Sequence, residues 1–277
     1  MEARNWLSGL SGPRRRYLAV VAILVLVVAA FVGVRLAASG GDPAAGPPGQ
    51  QRPGAVLLVP GYGGSTGSLD GLAAKLRAAG RTAEVVDLPG DGTGDLLIQV
   101  DTLNTAVARA LSEGAPSVDV VGYSAGGVVA RLWVARDNGA AHARRIVTLG
   151  SPLHGTQLAA AGAALAPGAC PLACQQLAPT SALLRGLDAQ PLPAGLPWLS
   201  LWTTGDQTVL PPDSARLTGA VNVPVQQICL AESVSHSALP SDPLVDGIVL
   251  QALDSASFTP PRPAQCAALT AAGRINS

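Results

Sequence analysis

The chain has 277 residues, enough for one sizeable domain or two small ones, and nearly half of it is hydrophobic, so a full core can be built. Its formal net charge is zero, which argues against a nucleic-acid partner. Aromatic and charged residues are sparse, and Lys75 is the only lysine among many arginines, a bias of GC-rich coding rather than of chemistry.

The first 39 residues read as an address. Arg14, Arg15 and Arg16 precede a continuously apolar run from Tyr17 to Val34, and Arg35 follows. The run is close to the minimum for a membrane span and long for a signal-peptide core. The arginine cluster should stay in the cytoplasm, which places everything after Arg35 outside. The reading favours an uncleaved signal anchor that holds the protein to the membrane through residues 17–38. The alternative is a cleaved signal and a secreted product, for which Ala37, Ala38, Ser39 and Gly40 leave room. Arg14-Arg15-Arg16-Tyr17-Leu18 also resembles a twin-arginine export signal. Residues 40–53, rich in Gly, Pro and Gln, read as a flexible linker. A catalytic domain is expected over 54–277.

Ala55 to Val59 is a short apolar run, as expected of a buried parallel strand. The loop Pro60-Gly61-Tyr62-Gly63-Gly64-Ser65 follows, and its glycines let backbone N–H groups approach a bound oxyanion. Leu69, Leu72, Leu76 and Ala79 have helical spacing within Ser68 to Ala79. Thr82 to Leu88 is predicted as a strand and Asp95 to Ser112 as an amphipathic helix capped by Asp95. The pattern is β-α-β-α-β, which implies a mostly parallel sheet with helices on both faces.

The next stretch organises the chain. Val118 to Tyr123 is β-branched and apolar, and it runs through Gly122-Tyr123-Ser124-Ala125-Gly126 into a helical pattern. Strand, sharp turn and helix are the context in which Gly-x-Ser-x-Gly presents a nucleophile. Gly122 and Gly126 are expected where a Cβ would collide with a neighbouring strand or helix. The helix after Ser124 points its N-terminus at the same place, where developing negative charge is favoured. Backbone N–H groups of Tyr62 and Ala125 are the candidate oxyanion donors.

Arg145 to Leu149 is the following strand, ending in Gly150-Ser151-Pro152-Leu153-His154-Gly155-Thr156. Residues 157–196 are longer than one crossover helix and read as an apolar helical cap over the site, suited to an apolar substrate. Pro197 to Thr203 and Val221 to Leu230 are predicted strands, Ser233 to Ser241 a loop, and Asp242 to Leu253 a helix. The tail after Ser255 is expected to be irregular and held by Cys266. Four cysteines (Cys170, Cys174, Cys229 and Cys266) beyond an export segment favour two disulfides. Of the three pairings, Cys170 with Cys174 and Cys229 with Cys266 is the simplest. A zinc site is the rival, but no histidine lies close to the short-spaced pair.

A serine is weak as a nucleophile until a base takes its proton. Of three histidines, His142 falls at the entrance edge of the sheet, away from the strand ends where sites form. His236 follows the last strand, as the base does in the chain order Ser…Asp…His, and His154 is better read as a loop brace. Asp206, in Gly205-Asp206 after a strand, is the expected acid, with Asp213 as its rival; Asp242 and Asp246 come after the histidine.

These segments resemble the α/β-hydrolase superfamily, and within it the small secreted bacterial triacylglycerol lipases. The resemblance rests on Pro60-Gly61-Tyr62-Gly63-Gly64, Gly122-Tyr123-Ser124-Ala125-Gly126-Gly127, Gly150 to Thr156, Gly205-Asp206 and Ser235-His236. It spans roughly Ala55 to Leu253. It implies Ser124 as nucleophile, Asp206 as acid, His236 as base, and oxyanion N–H groups from Tyr62 and Ala125. Pro60 and Tyr123 depart from the pattern, each standing where histidine is frequent. The expected activity is hydrolysis of lipid-like carboxylic esters through an acyl-enzyme, with no cofactor and no metal. An acyltransferase with the same triad, or an inactive membrane-anchored binding module, are the alternatives.

Overall fold

A computed structural model describes residues 21–23, 25–26, 47–254 and 258–274. The chain divides into two compact units, Met1–Ala45 and Gly46–Ser277. In the first, residues 21–23 and 25–26 are helical. The rest of the expected anchor or signal, with its arginine cluster, lies outside the described residues, as do residues 40–46 of the expected linker. Among the described residues, no helix is long and apolar enough to cross a membrane.

The second unit is built on six strands: β1 (Ala55–Val59), β2 (Ala83–Val85), β3 (Val118–Tyr123), β4 (Ala143–Leu149), β5 (Trp198–Trp202) and β6 (Val221–Pro224). They pair in the order β2-β1-β3-β4-β5-β6, and every pairing is parallel. The strand order reverses at β1, so a crevice opens between the carboxyl ends of β1 and β3. Five residues of β1 are buried without a break, as a strand covered on both faces requires.

Alternation in β1 sorts the core into two layers. Leu57 and Val59 join one layer with Val118 and Val120. Helices α2 (Leu96–Ser112) and α3 (Ala125–Arg136) cover this face through Leu96, Val100, Leu103, Val128 and Trp133. Val56 and Leu58 join the other layer with Val121, Val147 and Leu201. Helices α1 (Gly67–Ala78) and α8 (Pro243–Asp254) cover that face through Leu69, Leu72, Leu76, Val245 and Val249. Asp95 caps α2 as expected, its side chain accepting from the Leu97 N–H at 2.9 Å.

The expected insertion contains three short helices: α4 (Gln157–Leu165), α5 (Leu172–Gln176) and α6 (Ala182–Asp188). Cys170 is bonded to Cys174 and Cys229 to Cys266, so no cysteine remains to hold zinc.

Strand β4 begins two residues earlier than expected, and His236–Ser241, read as loop, is a 3-10 helix. Three departures are larger. The second strand ends at Val85, at the edge of the sheet. The sixth ends at Pro224, and the chain turns into a short helix, α7 (Val225–Ile228), that delivers Cys229 to its disulfide. The tail is not irregular: Cys266–Arg274 forms helix α9, once Pro260, Pro261 and Pro263 have been passed. It packs on α8 through two glycines. A Cβ on Gly247 would fall 1.9 Å from the Leu269 carbonyl oxygen, and one on Gly273 would fall 1.8 Å from that of Pro243.

Candidate active site

Ser124 sits between β3 and α3 with φ 51° and ψ −123°. A non-glycine residue there is held by its surroundings against its own preference. Its N–H donates to the Leu149 carbonyl at 2.8 Å, which fixes the turn to the end of β4. The flanking glycines allow the strand and helix to lie this close. A Cβ on Gly122 would meet the Gly127 Cα at 2.5 Å, and one on Gly126 would meet the Val59 carbonyl oxygen at 2.2 Å. Both collisions are those the motif implied.

The structure brings Ser124, His236 and Asp206 into one line. The Ser124 Oγ lies 3.0 Å from His236 Nε2, and His236 Nδ1 lies 2.7 Å from Asp206 Oδ2. All three residues are buried. The other carboxylate oxygen, Oδ1, accepts from the N–H groups of Thr208 and Val209, both at 2.8 Å. Asp206 is therefore oriented by its own turn, and Oδ2 is left for the imidazole. With the Asp side of the ring holding Nδ1, Nε2 faces the hydroxyl, the arrangement a proton transfer from serine to histidine requires.

The expected oxyanion loop lies against the same turn. A Cβ on Gly61 would come within 3.0 Å of the Ser124 Cβ. The loop doubles back through the Gly64 N–H, which donates to the Gly61 carbonyl at 3.0 Å. Gly63 and Gly64 both adopt positive φ, which side chains resist. Tyr62 follows Gly61 directly. Ala125 is the first residue of α3, where N–H groups have no partner within the helix. The Tyr62 side chain is half exposed, and burial together with nearby Asp91 raises its phenol pKa.

The remaining candidates stand apart. His142 ends a short turn ahead of β4, at the opposite end of that strand from the site. His154 pairs with Asp188 at 2.8 Å, a contact that ties the β4 loop to α6. Asp213 lies in the turn Pro212–Ala215, Asp242 caps α8 through the N–H groups of Leu244 and Val245, and Asp246 pairs with Lys75.

Three contributors escaped the sequence reading. Gly150 (φ 54°) lies beside the His236–Asp206 contact: a Cβ there would sit 3.2 Å from His236 Nδ1 and 3.4 Å from Asp206 Oδ2. Gln226 braces the turn that carries Asp206, donating to Thr203 Oγ1 at 2.9 Å and accepting from the Thr204 N–H at 3.0 Å. Tyr123 donates its hydroxyl to the His236 carbonyl at 3.2 Å, and its ring lies 5.4 Å from the imidazole. Burial, reinforced by Asp206, pushes the Tyr123 phenol up to about 12, so it remains a donor. Tyr123 was legible only as a departure from the family pattern, and Gln226 is one of three polar side chains, with Asn222 and Gln227, in the run read as the sixth strand.

An open cavity of about 170 Å³ reaches Ser124, lined mainly by apolar residues of the β4 loop, α4 and α5. Among the described residues, no group of three or more His, Cys, Asp or Glu side chains is placed to hold a metal ion.

A parallel sheet of this order, with a serine turn after β3, an aspartate after β5 and a histidine after β6, is the α/β-hydrolase fold. Residues 50–165 match the family model described as a PGAP1-like alpha/beta domain. The mature lipase BlEst2 of Bacillus licheniformis superposes with a TM-score of 0.61 at 19% identity, over 77% of this chain and 96% of that one. Lipase B of Aspergillus fumigatus superposes with a TM-score of 0.63 at 21% identity, over 85% of this chain and 60% of the fungal one. At such identities the likeness is one of fold. A search of curated protein sequences gave no match.

Proposed function

We propose that the protein is a serine ester hydrolase that cleaves lipid-like carboxylic esters outside the cytoplasmic membrane. The observation that carries the reading is the continuous contact from Ser124 Oγ through His236 to Asp206, 3.0 Å and 2.7 Å long, on a strained turn beside an apolar cavity. His236 Nε2 takes the hydroxyl proton as Ser124 Oγ bonds to the ester carbonyl carbon. The negative charge on the carbonyl oxygen is met by the N–H groups of Tyr62 and Ala125, each donor worth about 2.7–4 kcal/mol. The carbon–alkoxide bond then breaks, and the leaving alcohol receives the proton from His236. Water, deprotonated by the same imidazole, releases the acid and restores the serine. Asp206 keeps Nδ1 protonated and offsets the imidazolium charge.

The two superposed proteins are lipases, which agrees with an ester substrate. Two disulfides agree with an oxidising compartment. The N-terminal apolar run either anchors the domain outside the membrane or is removed on export.

Ester hydrolysis by wild-type protein and by Ser124→Ala, followed with p-nitrophenyl butyrate, tests the reading. The variant is expected to lose on the order of 10⁶ in kcat. Equal turnover by both proteins refutes it.

A further inference from the structure

The wall of the cavity beside Ser124 has two properties that bear on substrate choice. The first is its chemistry. None of its lining residues is charged; Ala159, Leu177 and Val209 line it from buried positions, with Cys174 partly buried and Leu158 exposed at its edge. The hydroxyl of Thr156, which also lines it, is occupied elsewhere: it donates to the Thr208 carbonyl at 2.9 Å and accepts from the Leu210 N–H at 2.9 Å. Apart from the hydroxyls of Ser124, Tyr62 and Thr208, the wall is apolar and favours aliphatic groups over polar ones.

The second is its rigidity. Cys174 is locked to Cys170, and α4 lies flush on that disulfide because residue 162 is glycine; a Cβ there would fall 3.3 Å from Cys174 Sγ. Helix α5 is fastened to the start of α2 by Gln176, which donates to Asp95 Oδ1 at 2.6 Å and accepts from the Leu96 N–H at 2.8 Å. The Ala173 N–H donates to the Thr93 carbonyl at 3.1 Å, and the Thr156 N–H to that of Leu177 at 3.0 Å. A wall tied at these points resists being pushed back by a longer guest.

We propose that this cavity is the acyl site and that its small, braced volume selects short, neutral acyl groups. An apolar cavity of about 150 Å³ accommodates benzene, a six-carbon guest. A volume of about 170 Å³ thus suits a butyryl or hexanoyl group, whose carbonyl carbon sits at Ser124. Acetyl leaves the space unfilled, and a decanoyl or lauroyl chain has to leave it for the surface. Ala159 and Leu177 are the residues that set the limit. The inference rests on the hydrolase reading above and adds a substrate class to it.

The test is kcat/KM for p-nitrophenyl acetate, butyrate, hexanoate, octanoate, decanoate and laurate, below their micelle concentrations, on the wild-type protein. The expected maximum lies at butyrate or hexanoate, with a fall of about ten-fold or more by decanoate, the scale on which a filled pocket discriminates methylenes. Leu177→Ala is expected to move the maximum to longer chains, and Ala159→Leu to lower the hexanoate-to-acetate ratio by about ten-fold. Rates of inactivation of the wild-type protein by p-nitrophenyl alkylphosphonates of the same lengths, which lose p-nitrophenolate as the Ser124 Oγ–phosphorus bond forms, give the profile without any variant, and the same order is expected. A maximum at decanoate or laurate, or a flat profile, overturns the acyl-length limit while the hydrolase reading stands. Turnover of no ester at all, with no phosphonate inactivation, overturns the hydrolase reading and the inference together.

Discussion

Asp119 and Asp206 are both buried carboxylates of the central sheet, one near the start of β3 and the other just past the end of β5. Asp119 is enclosed by cations. Arg81 donates to its Oδ2 at 2.6 Å, and Arg144 reaches both oxygens, at 2.9 and 2.6 Å. The same arginines donate to backbone carbonyls: Arg81 to Gly54 and Leu253, Arg144 to Gln50 and Leu253. Arg145 adds a bond to the Ala252 carbonyl, and burial beside Arg144 pulls its guanidinium down to about 10. The Ala252 and Leu253 carbonyls lie in the last turn of α8, where the helix dipole favours positive charge. Gln50, within the expected linker, is tied into the same cluster through Arg144 and Arg145. Among the described residues, no lysine or arginine pairs with Asp206. It spends one oxygen on two backbone N–H groups and the other on an imidazole whose far nitrogen meets a hydroxyl beside a cavity. A charge surrounded by permanent partners holds the chain together. A charge that faces a titratable ring is placed to support a change of protonation.

The contrast implies separable effects of substitution. His236→Ala removes the proposed base and is expected to cost on the order of 10⁶ in kcat, with Asp206→Asn costing about 10⁴ through the wrong imidazole tautomer. Melting temperature, measured beside turnover, should move little for His236→Ala. Asp119→Ala should do the reverse. It strips the anion from Arg81 and Arg144, and urea unfolding is expected to show a loss of about 3–5 kcal/mol. Turnover per folded molecule should be preserved. If instead Asp119→Ala abolishes turnover in folded protein, the two clusters are not separable.

Gly150→Ala sharpens the comparison at the active end. Its Cβ would meet the Leu239 side chain at 2.6 Å and press on the His236–Asp206 contact, at a positive φ that alanine resists. A displacement of that kind is expected to lower kcat by about 10²-fold. Stopped-flow single-turnover kinetics would show the loss in the acylation step.

The smallest effect concerns Asp246, whose Oδ2 meets Lys75 at 2.6 Å while its Oδ1 is buried without a hydrogen-bond partner. Burial pushes its carboxyl up to about 6, against the pull of Lys75. Because that value lies above the unfolded one of about 4, the native state binds a proton first as pH falls through this window. The group therefore costs stability above pH 6 and gives it back on acidification. Asp246→Asn is expected to flatten this part of the melting-temperature profile between pH 4 and 7, with turnover preserved.

Much of this architecture was legible because local pattern and global position coincide. The β1 run, the Asp95 cap and the turn around Ser124 each carry their signal within a few residues. Chain order then singled out Asp206 and His236, which the fold brings to the serine. What escaped depends on contacts distant in sequence. Gly150 matters because Leu239, His236 and Asp206 converge on it, and Gln226 because it bonds back to Thr203 and Thr204. Helix α9 was hidden by the prolines before it and by a close packing on α8 that only the paired positions Gly247 and Gly273 permit. The sixth strand was read too long because Val225 and Ile228 are β-branched and continue its pattern, whereas the chain turns at Pro224 toward the Cys229 disulfide, with Gln226 and Gln227 between them.

Peptide mapping of the intact protein after reaction with a fluorophosphonate addresses the nucleophile without reference to any chosen substrate. The expected result is one adduct, on the peptide that carries Ser124, formed more slowly in Asp206→Asn and absent in Ser124→Ala. An adduct on a different residue, or labelling that survives Ser124→Ala, would contradict the assignment of this site as the catalytic centre.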